Sequence, residues 1–394
     1  MSEEIIIAGV GTTSFVKPGL SGNYKQMTAE AVNAALTDAG LGYGDIQQAF
    51  VGFVYADTTS GQAALYDVGK TGIPITNVNN SCSSGSTALY QARQAILSGE
   101  VDCVLAAGFE QMEPGSIGLA YSDRPSPLQN FIDNAEATHP GSKEAPFALQ
   151  LFGAARHEYV EKYGISEELL AMVRVKAADN ALRNEKALFR KAISVEDVMS
   201  SPLVFLGLKR LECSPPACGA GAAILCSSEF AKKHGLKSDV ALLGQVMVTD
   251  MPSTFGSKSM TSLVGKDVTK KAAQKLFKKT SRGPEDIQIV ELHDCFVINE
   301  ILSYEGLGLC EEGQAGKFIA DGDNTYGGRF VTNPSGGLLA KGHPLGATGL
   351  AQCAELVWQL RGQAGERQVD NAKTGLQHNF GLGGACVVSM YGKV

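Results

Sequence analysis

Asp45-Ile46-Gln47, entering the run Ala49-Phe50-Val51-Gly52-Phe53, and Asp286-Ile287-Gln288, entering Ile289-Val290-Glu291-Leu292, repeat one local pattern 241 positions apart (286 minus 45). Each is a polar triplet feeding a short apolar run of the kind that forms a buried strand. A helical stretch precedes each. In the first copy it runs from Thr28 to Ala39, with Ala29, Ala31, Val32, Ala35 and Leu36 at helical spacing and Gly40 as its stop. In the second it runs from Lys270 to about Lys279 and ends before Gly283-Pro284. The match continues downstream. Asn79-Asn80-Ser81-Cys82-Ser83-Ser84-Gly85 leads to a helix near 84–98 and a strand at 101–107. Asn333-Pro334-Ser335-Gly336-Gly337 leads to a helix over about 346–361 and a strand at 374–378. Shared element order over about 100 residues in each half predicts a duplicated α/β unit.

Composition bounds the function. With 394 residues, 44% of them hydrophobic and 19% charged, the chain can bury a large core and divide into two or three domains. Its 46 glycines and 7% aromatics describe a compact α/β enzyme with many tight turns and exclude a disordered or fibrous chain. A net charge of −7 leaves no broad footprint for nucleic acid or anionic membrane. The nine cysteines, at 82, 103, 213, 218, 226, 295, 310, 353 and 386, are odd in number and mostly lie in apolar runs, as expected of free thiols in a reducing compartment. Cys213 and Cys218 lack CxxC spacing and a nearby histidine, so no metal site is expected. No basic leader precedes Ile5 and no apolar run reaches membrane-spanning length, so a soluble intracellular protein is expected.

Between the two copies lies a stretch of different character, residues 120–212. Pro125, Pro127, Pro140 and Pro146 crowd its start, and polar helices such as Glu167–Arg183 follow. It also gathers cations, among them Arg183, Lys186, Arg190 and Lys191. One reading is a solvated helical face; the other is a lid whose cations meet the phosphates of a bound cofactor.

Four stretches carry chemistry. Cys82 sits in a Ser/Gly turn ahead of a helix start, where unpaired N–H groups favour a thiolate; the plain alternative is a buried cysteine at a turn. His343, in Lys341-Gly342-His343-Pro344-Leu345-Gly346, is held in irregular backbone before a helix, at the place in the second copy that the Cys82 loop occupies in the first. The two loops meeting across a pseudo-twofold axis would form an activated Cys–His pair. His293-Asp294-Cys295-Phe296 follows a strand at its C-terminal end, where ligands of α/β sheets collect. Gln377-His378-Asn379-Phe380-Gly381-Leu382-Gly383-Gly384-Ala385 offers glycine N–H groups suited to an oxyanion.

Together, in this order, these motifs resemble the thiolase superfamily over essentially the full length, and specifically its sterol carrier protein X / sterol carrier protein 2-type branch. The resemblance implies a five-layer αβαβα fold of two similar halves with an inserted loop domain. The expected division is 1–119 with 213–237, then 120–212 as the insert, then 238–394. It implies an acyltransferase that cleaves a 3-oxoacyl-CoA with coenzyme A, or runs the Claisen condensation in reverse, with coenzyme A as substrate and no tightly bound cofactor. By position, Cys82 is the nucleophile and His343 its activator, and His293 stabilises one oxyanion with His343. The N–H groups of Cys82 and Gly381 stabilise the other. Common thiolases carry Asn-Glu-Ala-Phe where this chain has His293-Asp294-Cys295-Phe296, and an acid/base cysteine where it has Asn379; in the sterol-carrier branch that role passes to Cys295.

The rivals are a decarboxylating ketoacyl synthase, a retro-aldolase, and a non-catalytic lipid carrier or scaffold on the same fold. A homodimer or tetramer is implied, with a separate lipid carrier as a further partner. The C-terminal Tyr391-Gly392-Lys393-Val394 shows no peroxisomal address, so a cytoplasmic enzyme is expected, or a peroxisomal or mitochondrial one if eukaryotic.

Overall fold

A computed structural model of the chain describes residues 4–114, 123–139 and 146–394. Residues 120–122 and 140–145 of the expected insert, Pro140 included, lie outside the described residues. Twelve strands are described: β1 (Ile5–Thr12), β2 (Gln48–Gly52), β3 (Ile75–Val78), β4 (Cys103–Glu110), β5 (Leu203–Phe205), β6 (Leu208–Lys209), β7 (Gly219–Ser227), β8 (Val240–Val248), β9 (Ile289–Glu291), β10 (Val331–Thr332), β11 (Thr374–Gly381) and β12 (Ala385–Lys393).

The repeat seen in the sequence is written into the strand order. The first half runs β3-β2-β4-β7-β1 and the second β10-β9-β11-β12-β8. In each, the first two pairings are parallel and the last two antiparallel. The two five-stranded sheets join where β1 meets β8 antiparallel at Ile6 and Ala241.

Six helices position the site. Helix α1 (Tyr24–Ala39) and helix α4 (Lys266–Thr280) cover the outer faces of the first and second sheets. Helices α2 (Ser84–Leu97) and α6 (Leu345–Arg361) pack on each other and touch both sheets, forming the central layer of an αβαβα stack. Helix α3 (Glu167–Leu182) belongs to the segment between the halves, and α5 (Val297–Gly306) follows β9. The sequence reading of α1 began at Thr28. The helix starts a turn earlier because Asn23 caps it: its side chain accepts from the Gln26 N–H at 3.0 Å while Gln26 Oε1 accepts from the Asn23 N–H at 3.1 Å.

Three large cores follow from this layering, beside a small cluster of Phe15, Ala347 and Ala351 among the described residues. One lies under α1, with Ile6, Val32, Leu36 and Val51. One surrounds the central helices, with Leu89, Leu225, Leu350 and Leu356. The third joins the outer face of the second sheet to the inserted helices, with Leu151, Leu170, Ile301 and Leu376. The central helices approach closely because glycines sit at the crossing. A Cβ on Gly85 of α2 would fall 2.5 Å from the Gly346 carbonyl oxygen, and one on Gly349 of α6 would fall 2.5 Å from the Ser86 backbone nitrogen. Those contacts are to backbone, which cannot swing aside, so both positions require glycine.

The halves differ most at one connection. β11 turns into β12 through Leu382, Gly383 and Gly384, the two glycines at φ +99° and +91°. The equivalent link, β4 to β7, runs over residues 111–218 and carries the hairpin β5–β6 and helix α3. Buried charge pins this segment to the second half. Lys176 on α3 pairs with Glu300 of α5 and donates to Thr332 at 2.6 Å, while Asn180 donates to the Asn333 carbonyl at 3.0 Å. Among the described residues no helix is long and apolar enough to cross a membrane.

Candidate active site

The N-terminal ends of α2 and α6 point to one place, and the loops before them carry Cys82 and His343. The Cys82 turn is built from its serines. Ser81 adopts φ +51°, Ser83 Oγ donates to the Asn80 carbonyl at 2.8 Å, and Ser84 Oγ accepts from the Asn80 N–H at 2.9 Å while donating to the Ser81 carbonyl at 2.7 Å. This network holds a non-glycine residue in left-handed backbone and sets Cys82 just ahead of α2. Gly381 lies against the same turn; a Cβ there would meet the Asn80 carbonyl at 2.2 Å. The neighbouring N–H that reaches the Cys82 sulfur is that of Leu382, one residue beyond Gly381.

Cys82, His293 and His343 converge: one ligand atom from each lies within 4.8 Å of the others. The two imidazoles meet edge to face, with ring centroids 5.1 Å apart and planes at 79°. Both are buried. Burial pushes the His343 imidazole down to about 3, and burial, then the proximity of His343 and His378, holds His293 well below the usual histidine range. Burial likewise pushes the Cys82 thiol up to about 11, despite N–H and hydroxyl donors that favour the thiolate. The helix start was expected to lower this thiol. Here desolvation outweighs it, which favours the neutral thiol and neutral imidazoles.

His343 is oriented by Thr348. Thr348 Oγ1 lies 2.8 Å from His343 Nδ1 and donates to the Pro344 carbonyl at 3.0 Å, an arrangement that assigns the Nδ1 proton to His343, which donates it to Thr348. His343 Nε2 is then a lone pair, buried and without a partner among the described residues. A neutral imidazole with a free lone pair beside a thiol is a general base.

Cys295 is buried in the loop between β9 and α5, and its thiol is held well above its usual range by burial first and by the proximity of the Cys82 thiol next. The neighbouring Asp294 accepts the N–H groups of Leu338 at 2.7 Å and Leu339 at 3.3 Å, and so ties the His293 loop to the turn that leads into His343. Phe296 stacks on Phe152 of the inserted segment, with ring centroids 4.3 Å apart. Glu110, at the end of β4, accepts from Tyr55, Val54 and Gly346 N–H groups at 2.9, 3.2 and 3.0 Å and fixes the first turn of α6. Burial raises its carboxyl to about 7.

The expected cofactor cations stand apart from this cluster. Arg183 lies over the Tyr326 ring, 4.3 Å from its centroid, and Lys186 donates to the Thr12 carbonyl at 2.8 Å. Arg183, Lys186 and Arg190 border a cavity of about 440 Å³ with Trp358 and the turn 363–367; Lys191 is not among its lining residues. Trp358 sits thirteen residues past Leu345, about 20 Å along α6 from the end that carries His343. His378, quoted in the sequence as part of a candidate oxyanion stretch, faces inward: its Nδ1 accepts the His293 N–H at 3.4 Å and its Nε2 meets Thr269 Oγ1 at 3.0 Å. Sequence reading assigned no role to Thr348, Glu110 or Ser86. Thr348 alone carried a local signal, a lone hydroxyl in the glycine-rich first turn after His343.

Comparison with known proteins agrees with the duplicated architecture. A family model described as the thiolase N-terminal domain matches residues 5–204, and one described as thiolase C-terminal domain-like matches residues 252–390. The chain is 52% identical over 391 residues to sterol carrier protein 2 of Rattus norvegicus, covering 98% of this chain and 71% of that one. It is 37% identical over 400 residues to the acetyl-CoA acetyltransferase of Methanothermobacter thermautotrophicus, covering 99% and 100%. Among solved structures, the Ltp2-ChsH2(DUF35) aldolase superposes with a TM-score of 0.83 at 25% identity, covering 99% of this chain and 98% of that one. Human mitochondrial 3-ketoacyl-CoA thiolase in complex with CoA superposes with a TM-score of 0.72 at 19% identity, covering 100% and 98%, and speaks to the fold alone. Two halves of one topology, each meeting its own domain model, and relatives aligned from end to end of the chain lead to one statement: the chain belongs to the thiolase family.

Proposed function

We propose that this protein is an acyltransferase that cleaves 3-oxoacyl-CoA with coenzyme A, and runs the condensation in reverse, through an acyl-Cys82 intermediate. The observation that carries the reading is the convergence of one thiol and two neutral imidazoles within 4.8 Å, with the free lone pair of His343 among them. His343 Nε2 takes the Cys82 proton as the sulfur attacks the 3-oxo carbon. His293 and the backbone N–H groups of the Cys82 turn and of the Gly381–Leu382 turn stabilise the developing oxyanions, a contribution of about 10²–10³ in rate for each well-placed donor. The bond between C2 and C3 breaks, and Cys295, a protonated thiol at rest, gives its proton to C2 of the acyl-CoA enolate. A second coenzyme A then attacks the acyl group. Its thiol proton passes to the Cys295 thiolate, and Cys82 leaves and recovers its proton from His343.

In this reading Arg183, Lys186, Arg190 and Lys191 hold coenzyme A phosphates. Reversing Arg190 and Lys191 should raise KM for coenzyme A without changing acylation of Cys82 by small thioesters; an unchanged KM assigns these cations to the packing of the insert. The activity itself is tested by coenzyme A-dependent loss of 3-oxoacyl-CoA absorbance across a series of chain lengths. Loss at some length, abolished by Cys82→Ala, is expected. No loss at any length, with an aldolase or carrier assay positive, overturns the proposal.

A further inference from the structure

Two imidazoles beside one thiol can act differently only if their tautomers differ, and the hydrogen bonds behind them decide this. His343 is protonated on Nδ1 because Thr348 receives that proton. Behind His293 the polarity is the reverse, and it is relayed from a fixed end. The Gln377 amide is oriented by the Gly349 carbonyl, which can only accept: Nε2 donates to it at 2.6 Å, so Oε1 is the atom that accepts from the Tyr391 hydroxyl at 2.5 Å. The second Nε2 proton goes to Ser86 Oγ at 2.9 Å, and Ser86 passes its own to Asn379 Oδ1 at 2.8 Å. Asn379 therefore turns Nδ2 toward His293, which accepts on Nδ1 at 3.0 Å. All four side chains of this relay, Gln377, Ser86, Asn379 and His293, are buried. Gly349 makes room for it: a Cβ there would lie 2.1 Å from Ser86 Oγ and 2.7 Å from Asn379 Oδ1.

We propose that Asn379 is a positioning residue that locks His293 as the Nε2–H tautomer, so that His293 presents a donor where His343 presents a lone pair, and that this lock keeps Cys82, His293 and His343 from closing around Zn²⁺. A thiolate and two imidazoles gathered this tightly form a three-ligand set of the kind that binds zinc with one position open. Zinc needs a lone pair from each nitrogen, and a metal-bound histidine donates its other N–H to an acceptor behind it. Asn379 offers His293 a donor instead, which is the wrong polarity for a metal ligand and the right one for a group that must hold an oxyanion. The zinc half of the proposal rests on Cys82 being the available thiol of the functional site; the tautomer half does not.

The test uses the full chain. Long-range ¹H–¹⁵N correlation spectra of ¹⁵N-histidine-labelled protein, with His293 assigned from its loss in His293→Asn, should show His293 protonated on Nε2 and His343 on Nδ1. Asn379→Ala should leave His343 unchanged and spread His293 over both tautomers. Zinc sulfate titration should find Asn379→Asp, whose carboxylate accepts the Nδ1–H, at least ~10-fold tighter than the wild type, the lower end of what outer hydrogen-bond partners contribute to metal affinity. The gain should vanish in Asn379→Asp combined with Cys82→Ala. Wild-type His293 protonated on Nδ1, or zinc affinity in Asn379→Asp no tighter than in the wild type, overturns the proposal. Neither readout uses turnover, so a protein without thiolytic activity but with these tautomers refutes the proposed function and leaves this inference standing.

Discussion

Replacing Thr348 by valine removes one oxygen from the buried first turn of α6 and keeps the shape of the side chain. Two hydrogen bonds go: the 3.0 Å bond to the Pro344 carbonyl and the 2.8 Å bond from His343 Nδ1. The second matters for chemistry. A buried N–H left without an acceptor costs about 1–3 kcal/mol. Among the described residues His343 Nε2 is buried without a partner as well, so neither tautomer then satisfies its N–H, and the ring loses both its fixed proton and its fixed orientation. Losing the roughly 1–3 kcal/mol by which this bond holds the oriented base, at 1.4 kcal/mol per tenfold, should slow acylation of Cys82 by about 10- to 100-fold. The assay is single-turnover acylation by acetyl-CoA, quenched over time and read as the acetylated Cys82 peptide. Folding stability should drop by about the same 1–3 kcal/mol. Acylation at the wild-type rate in a folded Thr348→Val protein would refute the view that His343 acts through a Thr348-fixed Nε2 lone pair.

Three further outcomes follow from the same geometry. Cys295→Ala should leave Cys82 acylation by acetyl-CoA intact but abolish exchange of the acetyl-CoA methyl protons with heavy water, seen by proton NMR, and overall thiolysis with it; normal exchange moves the acid/base elsewhere. Because burial lifts the Cys82 thiol to about 11, the thiolate fraction in the free protein grows as pH rises toward that value. Alkylation of Cys82 by iodoacetamide should therefore accelerate steadily from pH 7 to pH 9, whereas a plateau near neutrality would reveal a thiolate–imidazolium pair. Lys176→Met leaves the buried Glu300 carboxylate without its cation, and one of its oxygens already lacks a partner among the described residues. Chemical denaturation should show a loss of about 3–5 kcal/mol, and a loss below about 1 kcal/mol would mean the pair does not anchor the insert.

How much of this was legible in the sequence depended on how local the signal was. The Asp-Ile-Gln triplets and the strands they enter mark the duplication because each copy folds through its own neighbours, and the matching strand orders bear that out. Cys82 and His343 stood out because Ser, Gly and Pro around them force irregular backbone ahead of a helix. The pairing of Asn379 with His293 spans 86 positions and exists only because β11 lies beside β9. Sequence could say only that an asparagine has no useful pKa, not that its amide sets a tautomer. The thiol pKa went the other way from its local reading, since helix-start N–H groups are visible in sequence and the depth of burial is not. The basic stretch Arg183–Lys191 read as one cluster in the chain, yet Arg183 and Lys186 fold back onto Tyr326 and Thr12, which nothing near them in sequence announces.

The central claim is that carbon–carbon cleavage passes through a thioester on Cys82. Acid quench of the protein during turnover of a 3-oxoacyl-CoA, with coenzyme A withheld, followed by peptide mass spectrometry, tests it directly. The account predicts the shortened acyl group on the peptide that contains Cys82, and its removal when coenzyme A is added before the quench. Turnover with an unmodified Cys82, or an acyl group that accumulates on Cys295 or another thiol and is discharged by coenzyme A from there, would contradict it.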